Sequence, residues 1–265
     1  MKTEVRLGSV VKHGVGGPEA GAINLIYSYL LHEHGQDFYK RIGINQIGGD
    51  LNEFVSKEAG NKIHVNIRYP VFDDFESRQP EEKNKIRLDV IHSSLMRIAE
   101  KDKRLSISQL ELIKEKILEN NFSFKIMCKL FVSTVSNDLV AKLIVYPEMN
   151  KFDYYVLIEN QGKVVCDQWI YSGITDLIYF PELFSEGRWR GDKEFVITGK
   201  CREVEIRILI DDCKIEYKNL SPYDRPPYFE MMRADISSEE KEKADEDWKH
   251  SLPPAVAGIT RRADN

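Results

Sequence analysis

The chain has 265 residues, of which 42% are apolar, and it carries a formal net charge of −5 with a pI near 5.8. A chain of this length and composition can bury a sizeable core, which argues against a disordered or fibrous protein. Nucleic-acid binding is also disfavoured, because neutralising phosphates needs an excess of Lys and Arg on one surface.

The first residues, Met1 to Arg6, lack the apolar core of a secretory signal, and no window approaches the roughly 20 apolar residues that span a bilayer. Membrane insertion is therefore not expected. The four cysteines lie in or beside predicted strands without a C-x-x-C pair. We expect a cytoplasmic protein with reduced core thiols rather than a disulfide framework, the four being Cys128, Cys166, Cys201 and Cys213.

The chain opens with a predicted short strand over residues 4–12, followed by a glycine-rich loop, Gly14–Gly17. Pro18 and Glu19 then favour the start of a helix. Proline lacks the N–H that has no partner at that position, and a carboxylate suits the positive end of the helix dipole. This helix is predicted to continue to about His34.

The spacing of Asp50 and Glu53 is that of a capping box, and it predicts a second, short helix that ends at Gly60. The alternating segment Ile63–Tyr69 predicts a strand that Pro70 stops.

Two amphipathic helices are predicted next. The longest begins at Pro80 and ends near Glu100. The following helix has Ser106 as its cap, with Gln109 placed to return a hydrogen bond and with Leu105 and Leu110 placed for a hydrophobic staple.

From Phe122 onward the apolar period changes from helical to strictly alternating, which is typical of a half-buried strand. The inward set is predicted to be Phe122, Phe124, Ile126, Cys128, Leu130 and Val132. Further strands are predicted at 139–146, 152–158, 163–171, 204–210 and 213–217. The turn Glu159–Gly162 predicts a hairpin, and residues 174–191 form a connection without an assigned structure.

These elements predict an α+β fold in three parts. Residues 1–120 form a helix-rich α+β part, and residues 121–220 form a largely antiparallel sheet or small sandwich. Residues 221–265 form an extended, charged C-terminal tail, with a weak helix from Ser237 to His250. Whether the first two parts share one core is left open by the sequence.

His32 and His34 are the candidate metal ligands, and they lie two residues apart near a predicted helix end. Residues at this spacing on a helix point roughly 200° apart, which suits one ion poorly. Additional ligands from His64, His92 or Asp50 would have to converge from other elements. We therefore expect no metal and no other cofactor, with a metal-dependent hydrolase kept as an alternative function.

The Gly14–Gly17 loop lies between a strand and a helix, where backbone N–H groups can bind phosphate. It lacks the lysine and hydroxyl of a P-loop and does not match G-x-G-x-x-G. Nucleotide or small-ligand binding therefore remains an alternative to a simple tight connection. No motif for a catalytic nucleophile is present, so a non-catalytic protein is expected.

Arg188, Trp189 and Arg190 lie in a predicted loop and combine the residue types that dominate binding hot spots. Tyr223, Tyr228 and Phe229 form a second aromatic segment. We predict that these residues contact another protein. The alternative is that Trp189 anchors the loop to its own sheet, with the arginines in salt bridges. The function predicted is non-catalytic protein binding, as in an inhibitor, an immunity-type toxin neutraliser or an accessory subunit.

Overall fold

A computed structural model describes residues 3–10, 14–48, 51–136, 138–175 and 183–251. Within these residues the chain forms five α-helices and three four-stranded sheets, which confirms the α+β class. Two compact units are present. The first contains Met1–Ile126, Tyr146–Phe152 and Thr175–Leu177, and the second contains Met127–Val145, Asp153–Ile174 and Ile178–Asn265.

The first unit is built on a mixed sheet with the strand order β1-β2-β4-β3. Its strands are β1 (Glu4–Ser9), β2 (Arg41–Ile47), β3 (Phe54–Glu58) and β4 (Lys62–Arg68). Strands β1, β2 and β4 are parallel, whereas β3 is antiparallel to β4. The N-terminal part is therefore only roughly helix-rich, because a four-stranded sheet accompanies its helices.

Three α-helices accompany this sheet. A 3-10 turn, Pro18–Ala20, leads into α1 (Gly21–Glu33), and α2 (Pro80–Lys101) and α3 (Ile107–Glu119) follow. The predicted helix starts at Pro18 and Pro80 are confirmed. The Ser106 cap is also confirmed, since its hydroxyl accepts a hydrogen bond from the Gln109 N–H.

The helix predicted from Asp50 to Gly60 is wrong, because Phe54–Glu58 forms strand β3. Asp50 lies outside the described residues. The Glu53 carboxylate accepts a hydrogen bond from the Arg68 N–H of the neighbouring strand rather than closing a helical turn. A local capping pattern is therefore overridden by pairing with β4, which also confirms the strand predicted at Ile63–Tyr69.

The second unit contains two four-stranded sheets, ordered β5-β6-β7-β8 and β12-β11-β10-β9. The first sheet consists of β5 (Ile126–Val132), β6 (Leu139–Pro147), β7 (Phe152–Asn160) and β8 (Lys163–Gly173). The second is fully antiparallel and consists of β9 (Phe184–Arg190), β10 (Glu194–Gly199), β11 (Val204–Leu209) and β12 (Lys214–Asn219).

Aromatic side chains join the two sheets. Phe131 of β5 lies 5.3 Å from Phe195 of β10 between ring centroids, and Tyr154 of β7 lies 5.4 Å from Phe184 of β9. The predicted hairpin is confirmed, because Gln161 and Gly162 both have positive φ in the two-residue turn between β7 and β8.

Strand β5 differs from the predicted strand in its extent and in its inward set. Phe122 precedes the strand and is buried there with a φ of 61°. Leu130 and Val132, predicted to face the core, are about half exposed, while Phe131 packs on Phe195. An alternating pattern shows that one face of a strand is apolar, but it does not show which side of the protein that face is on. In β5 the face with Leu130 and Val132 points away from the core.

The predicted set of reduced thiols is wrong for one pair. Cys166 of β8 and Cys213, in the turn before β12, form a disulfide with Cα atoms 5.4 Å apart. This separation lies within the range that a disulfide requires. Cys128 and Cys201 are not part of this bridge.

The segment after Ser221 contains more regular structure than predicted. Helices α4 (Pro227–Met231) and α5 (Ser238–Ser251) follow, and residues 221–225 form successive bends rather than the predicted extended segment. The capping box predicted at Ser237 and Glu240 is confirmed, with both reciprocal hydrogen bonds at 3.2 Å. Residues 252–265 lie outside the described residues. None of the described helices is both long and apolar enough to cross a membrane.

Candidate functional site

The two candidate metal ligands near the end of α1 have separate partners. His32 Nδ1 lies 2.9 Å from an Asp37 carboxylate oxygen, and His34 Nδ1 lies 3.1 Å from the Gln109 side-chain oxygen. Gln109 therefore binds His34 instead of returning to the Ser106 N–H, whose acceptor is the Gln36 side-chain oxygen at 2.7 Å. These contacts tie α1 to the start of α3.

The remaining candidate histidines lie in other surroundings. The His64 ring lies over Gly43 of the paired strand, where a Cβ would approach it to 2.6 Å. His92 is buried, with its ring nitrogens near the Tyr27 hydroxyl and the Glu111 carboxylate. Within the described part of the chain, no three His, Cys, Asp or Glu side chains are grouped as metal ligands.

The glycine-rich loop follows the carboxyl end of β1, at the edge where β2 and β4 also end. In this loop the Val15 N–H donates to the side-chain oxygen of Gln46, at 2.8 Å. The same Gln46 donates through its nitrogen to the carbonyls of Tyr69 and Pro70. Gln46 is fully buried, so one side chain of β2 fixes the loop to the end of β4.

Arg87 of α2 holds the other side of the loop. The residue is only 2% exposed, and its Nε donates to the Val15 carbonyl at 3.0 Å. Its Nη2 donates to Glu19 at 2.8 Å, and this hydrogen bond is the main reason that the Glu19 pKa lies below its usual value. Because both backbone groups of Val15 are engaged, the loop has the contacts of a tight structural connection.

Arg188, Trp189 and Arg190 belong to strand β9 rather than to a loop, so their side chains alternate between its two faces. The Trp189 indole N–H donates to the Phe131 carbonyl of β5 at 3.1 Å, and its ring lies 5.1 Å from Phe195. Both arginines bind the buried carboxylate of Glu205 on β11, at 2.7 and 2.9 Å. The arginine salt bridges and the contact with Phe195 match the alternative, while the indole hydrogen bond connects Trp189 to the other sheet.

Tyr228 and Phe229 lie in α4 and are buried. Phe229 packs on Tyr171 with ring centroids 4.2 Å apart, and the Tyr171 hydroxyl donates to its carbonyl. Glu203 accepts hydrogen bonds from the N–H groups of both residues at the beginning of the helix. Tyr223 is half-buried beside this helix. That these residues contact another protein remains a prediction. The side chains of Tyr228 and Phe229 are already buried within the protein.

Strand β5, an outer strand of its sheet, has exposed apolar side chains that the sequence did not predict to be exposed. Met127, Leu130 and Val132 are 50%, 52% and 50% exposed. Leu130 and Val132 are two residues apart and therefore lie on one face of the strand. The alternating pattern of the sequence indicated that this strand has an apolar face. Such a pattern does not distinguish a face buried in the protein's own core from one exposed to solvent.

Comparisons of this chain with protein-family models, curated proteins and solved structures give no match. The candidate site therefore rests on the geometry alone.

Proposed function

We propose that this chain is a non-catalytic protein-binding protein and that strand β5 carries part of its interface. The observation that supports the proposal is the half exposure of Leu130 and Val132 on one face of an outer strand. Apolar side chains on an outer strand are a liability for a protein that acts alone, because such strands template association. A partner that covers them removes this liability.

The neighbouring strand β9 supplies a polar border for this surface. The hydrogen bond from the Trp189 indole to the Phe131 carbonyl connects the two strands, which belong to different sheets. The Arg188 side chain next to Trp189 is 55% exposed even though it binds Glu205. An apolar centre with arginine at its rim is the usual composition of a protein interface. Arg188 and Arg190 are therefore retained as rim contacts, and Trp189 acts by supporting β5.

The two alternative functions have weaker support. A small-ligand site at the Gly14–Gly17 loop would need free backbone N–H groups, and that of Val15 is held by Gln46. A metal-dependent hydrolase would need convergent ligands, and His32 and His34 have separate partners. A binding surface on an outer strand is what we expect of an inhibitor, an immunity-type neutraliser or an accessory subunit.

The test is co-purification from the native cells with three tagged forms of the full chain. Leu130→Lys with Val132→Lys places two charges on β5, where lysine is a natural blocker of edge association. Val164→Lys is the matched control, since Val164 is a similarly exposed apolar residue on the other outer strand, β8. Circular dichroism first establishes that all three forms are folded.

A protein retained at fixed stoichiometry by the parent and the Val164→Lys control, and lost from the β5 variant, supports the proposal. Equal retention by all three forms, or no stoichiometric partner on any of them, contradicts it.

The cytoplasmic location expected from the sequence remains a prediction, and the disulfide supplies a test. Disulfides persist in oxidising compartments and are rare in the cytosol. Rapid alkylation of thiols in intact cells, followed by mass spectrometry of the peptides with Cys166 and Cys213, reports their redox state. Reduced thiols accord with a cytoplasmic location, whereas a fully oxidised pair argues for an oxidising compartment.

A further inference from the structure

A cleft of about 290 Å³ opens within the first unit, between α1, the beginning of α2 and the turn after β6. Its apolar lining includes Ile23, Ile26, Phe122, Tyr146, Pro147 and Met149. Sites for small molecules are typically apolar clefts of roughly 300 to 1,000 Å³ with a few polar groups that fix the ligand. The cleft lies at the lower end of this range.

The backbone that shapes one wall of the cleft adopts an uncommon conformation. Asn121 and Phe122, which follow α3, have φ values of 45° and 61°. Positive φ is unfavourable for a bulky side chain such as phenylalanine, and such residues are concentrated at ligand-binding and active sites. The Phe122 N–H donates to the Ile117 carbonyl at 3.1 Å, which fixes the turn. Phe122 is buried as a result, with its side chain in the cleft wall.

Asn84, in the first turns of α2, is a half-buried polar residue that lines the cleft. Its side-chain oxygen is buried and has no hydrogen-bond partner among the described residues. Buried polar atoms in native proteins are nearly always paired, so an orphaned acceptor that lines a cleft points to a missing donor. Asn121, Ser123 and Glu148, which also line the cleft, are exposed, and Tyr146 is half-buried.

We infer that this cleft binds a small, uncharged molecule with an apolar ring body and an N–H or O–H group that donates to Asn84. The apolar walls would contact the ring, and the donor would satisfy the buried oxygen. An anion is disfavoured because the carboxylate of Glu148 lies in the lining. This inference is independent of the protein-binding proposal, since the cleft and β5 contain different residues.

Indole and benzofuran are suitable probes, because the two ring systems have nearly the same shape and only indole carries an N–H donor. Isothermal titration calorimetry on the full chain compares both compounds on three forms of the protein. These forms are the parent, Asn84→Leu, and Asn150→Leu as a control at an exposed asparagine outside the lining.

We expect saturable binding of indole to the parent and to the Asn150→Leu control. Asn84→Leu should bind indole about tenfold more weakly, as expected for the loss of one hydrogen bond. Benzofuran should bind the parent about tenfold more weakly than indole and should be insensitive to Asn84→Leu. Indole binding that is equal for the parent and a folded Asn84→Leu variant would overturn the inference.

A second measurement needs no variant at Asn84. The methyl signal of Met149, assigned with Met149→Leu, should shift on addition of indole to protein labelled at its methionine methyl groups. An unshifted Met149 signal up to the solubility limit of indole, or shifts confined to the other methionines, would also overturn the inference.

Discussion

His92 is a residue whose protonation is linked to folding. It is buried on α2, with Nδ1 3.0 Å from the Tyr27 hydroxyl and Nε2 3.4 Å from a Glu111 carboxylate oxygen. Burial lowers its pKa below the usual 6.5, and the opposing influence of Glu111 does not reverse this. The folded state therefore favours the neutral ring.

This environment predicts the sign of a pH effect. Below about pH 6.5 the unfolded chain binds a proton at His92 more readily than the folded chain, so stability falls as the pH falls through this range. Urea denaturation of the parent between pH 7.5 and 5 should show this loss. His92→Gln should reduce it, whereas His32→Gln, at an exposed position, should retain it. Identical pH slopes for the parent and His92→Gln would contradict the assignment.

The disulfide between Cys166 and Cys213 is a second residue-scale feature with a measurable effect. It joins residues 47 apart in sequence, and closing a loop of this length in the unfolded chain stabilises the fold by about 4 kcal/mol in the chain-entropy model. Cys213→Ser should therefore lower the free energy of unfolding by roughly 2 to 4 kcal/mol. Cys201→Ser is the control, since Cys201 is not part of the bridge.

A reductant should destabilise the parent and leave Cys213→Ser unchanged. A parent whose denaturation midpoint is insensitive to reductant would show that the bridge does not form in solution.

At the scale of elements, the beginning of α3 shows how a local signal and a tertiary contact combine. Ser106 caps the helix through its hydroxyl, as its position before an amphipathic stretch predicts. The return hydrogen bond of the capping box is supplied by Gln36, because Gln109 is engaged by His34. Helix α3 is therefore capped by its own serine and by a residue beyond α1.

Ser106→Ala should destabilise the protein by roughly 0.5 to 2 kcal/mol, the usual effect of removing an N-cap hydroxyl. Ser123→Ala, at an exposed serine outside the helices, should change the free energy of unfolding by less than about 0.5 kcal/mol. Chemical denaturation measures both, and an unchanged midpoint for Ser106→Ala would show that the hydroxyl does not cap α3.

Elements with strong local signals were predictable from the sequence, while strands β2, β3, β9 and β10 were not. Helices α2 and α3 have amphipathic spacing and recognisable starts, Pro18 marks the beginning of the helical segment that contains α1, and the β7–β8 hairpin has a clear turn. Strand β2 is a largely buried central strand that escaped prediction because its alternation is short. Ile42 and Ile44 alternate with Arg41, Gly43 and Asn45, and Gly and Asn are uncommon in strands. Strand β10 is likewise buried along nearly its whole length.

Two further limits concern partners that are distant in sequence. The Asp50 to Gly60 segment satisfies a local capping pattern, but pairing with β4 makes part of it a strand. Cys166 and Cys213 have no characteristic spacing, and only the strand arrangement brings them together. For the candidate site, the sequence indicated an apolar face on β5 but placed Leu130 and Val132 in the core.

At the scale of the whole molecule, the chain consists of two compact units with different features. The first contains a parallel-centred sheet, a tightly held glycine loop and the cleft lined by Asn84. The second contains two sheets with an aromatic core, a disulfide and the exposed strand β5. Of the residues predicted to contact a partner, Trp189, Tyr228 and Phe229 make extensive contacts within the second unit.

Site-specific photocrosslinking tests the role of β5 most directly. A photoreactive amino acid placed at position 130 or 132 of the full chain should crosslink one protein in the native cells at discrete mass. The same label at position 164, an equally exposed site on β8, should give far less of that adduct. Discrete adducts from 164 but not from 130 or 132, or none from any position, would contradict a protein interface at β5.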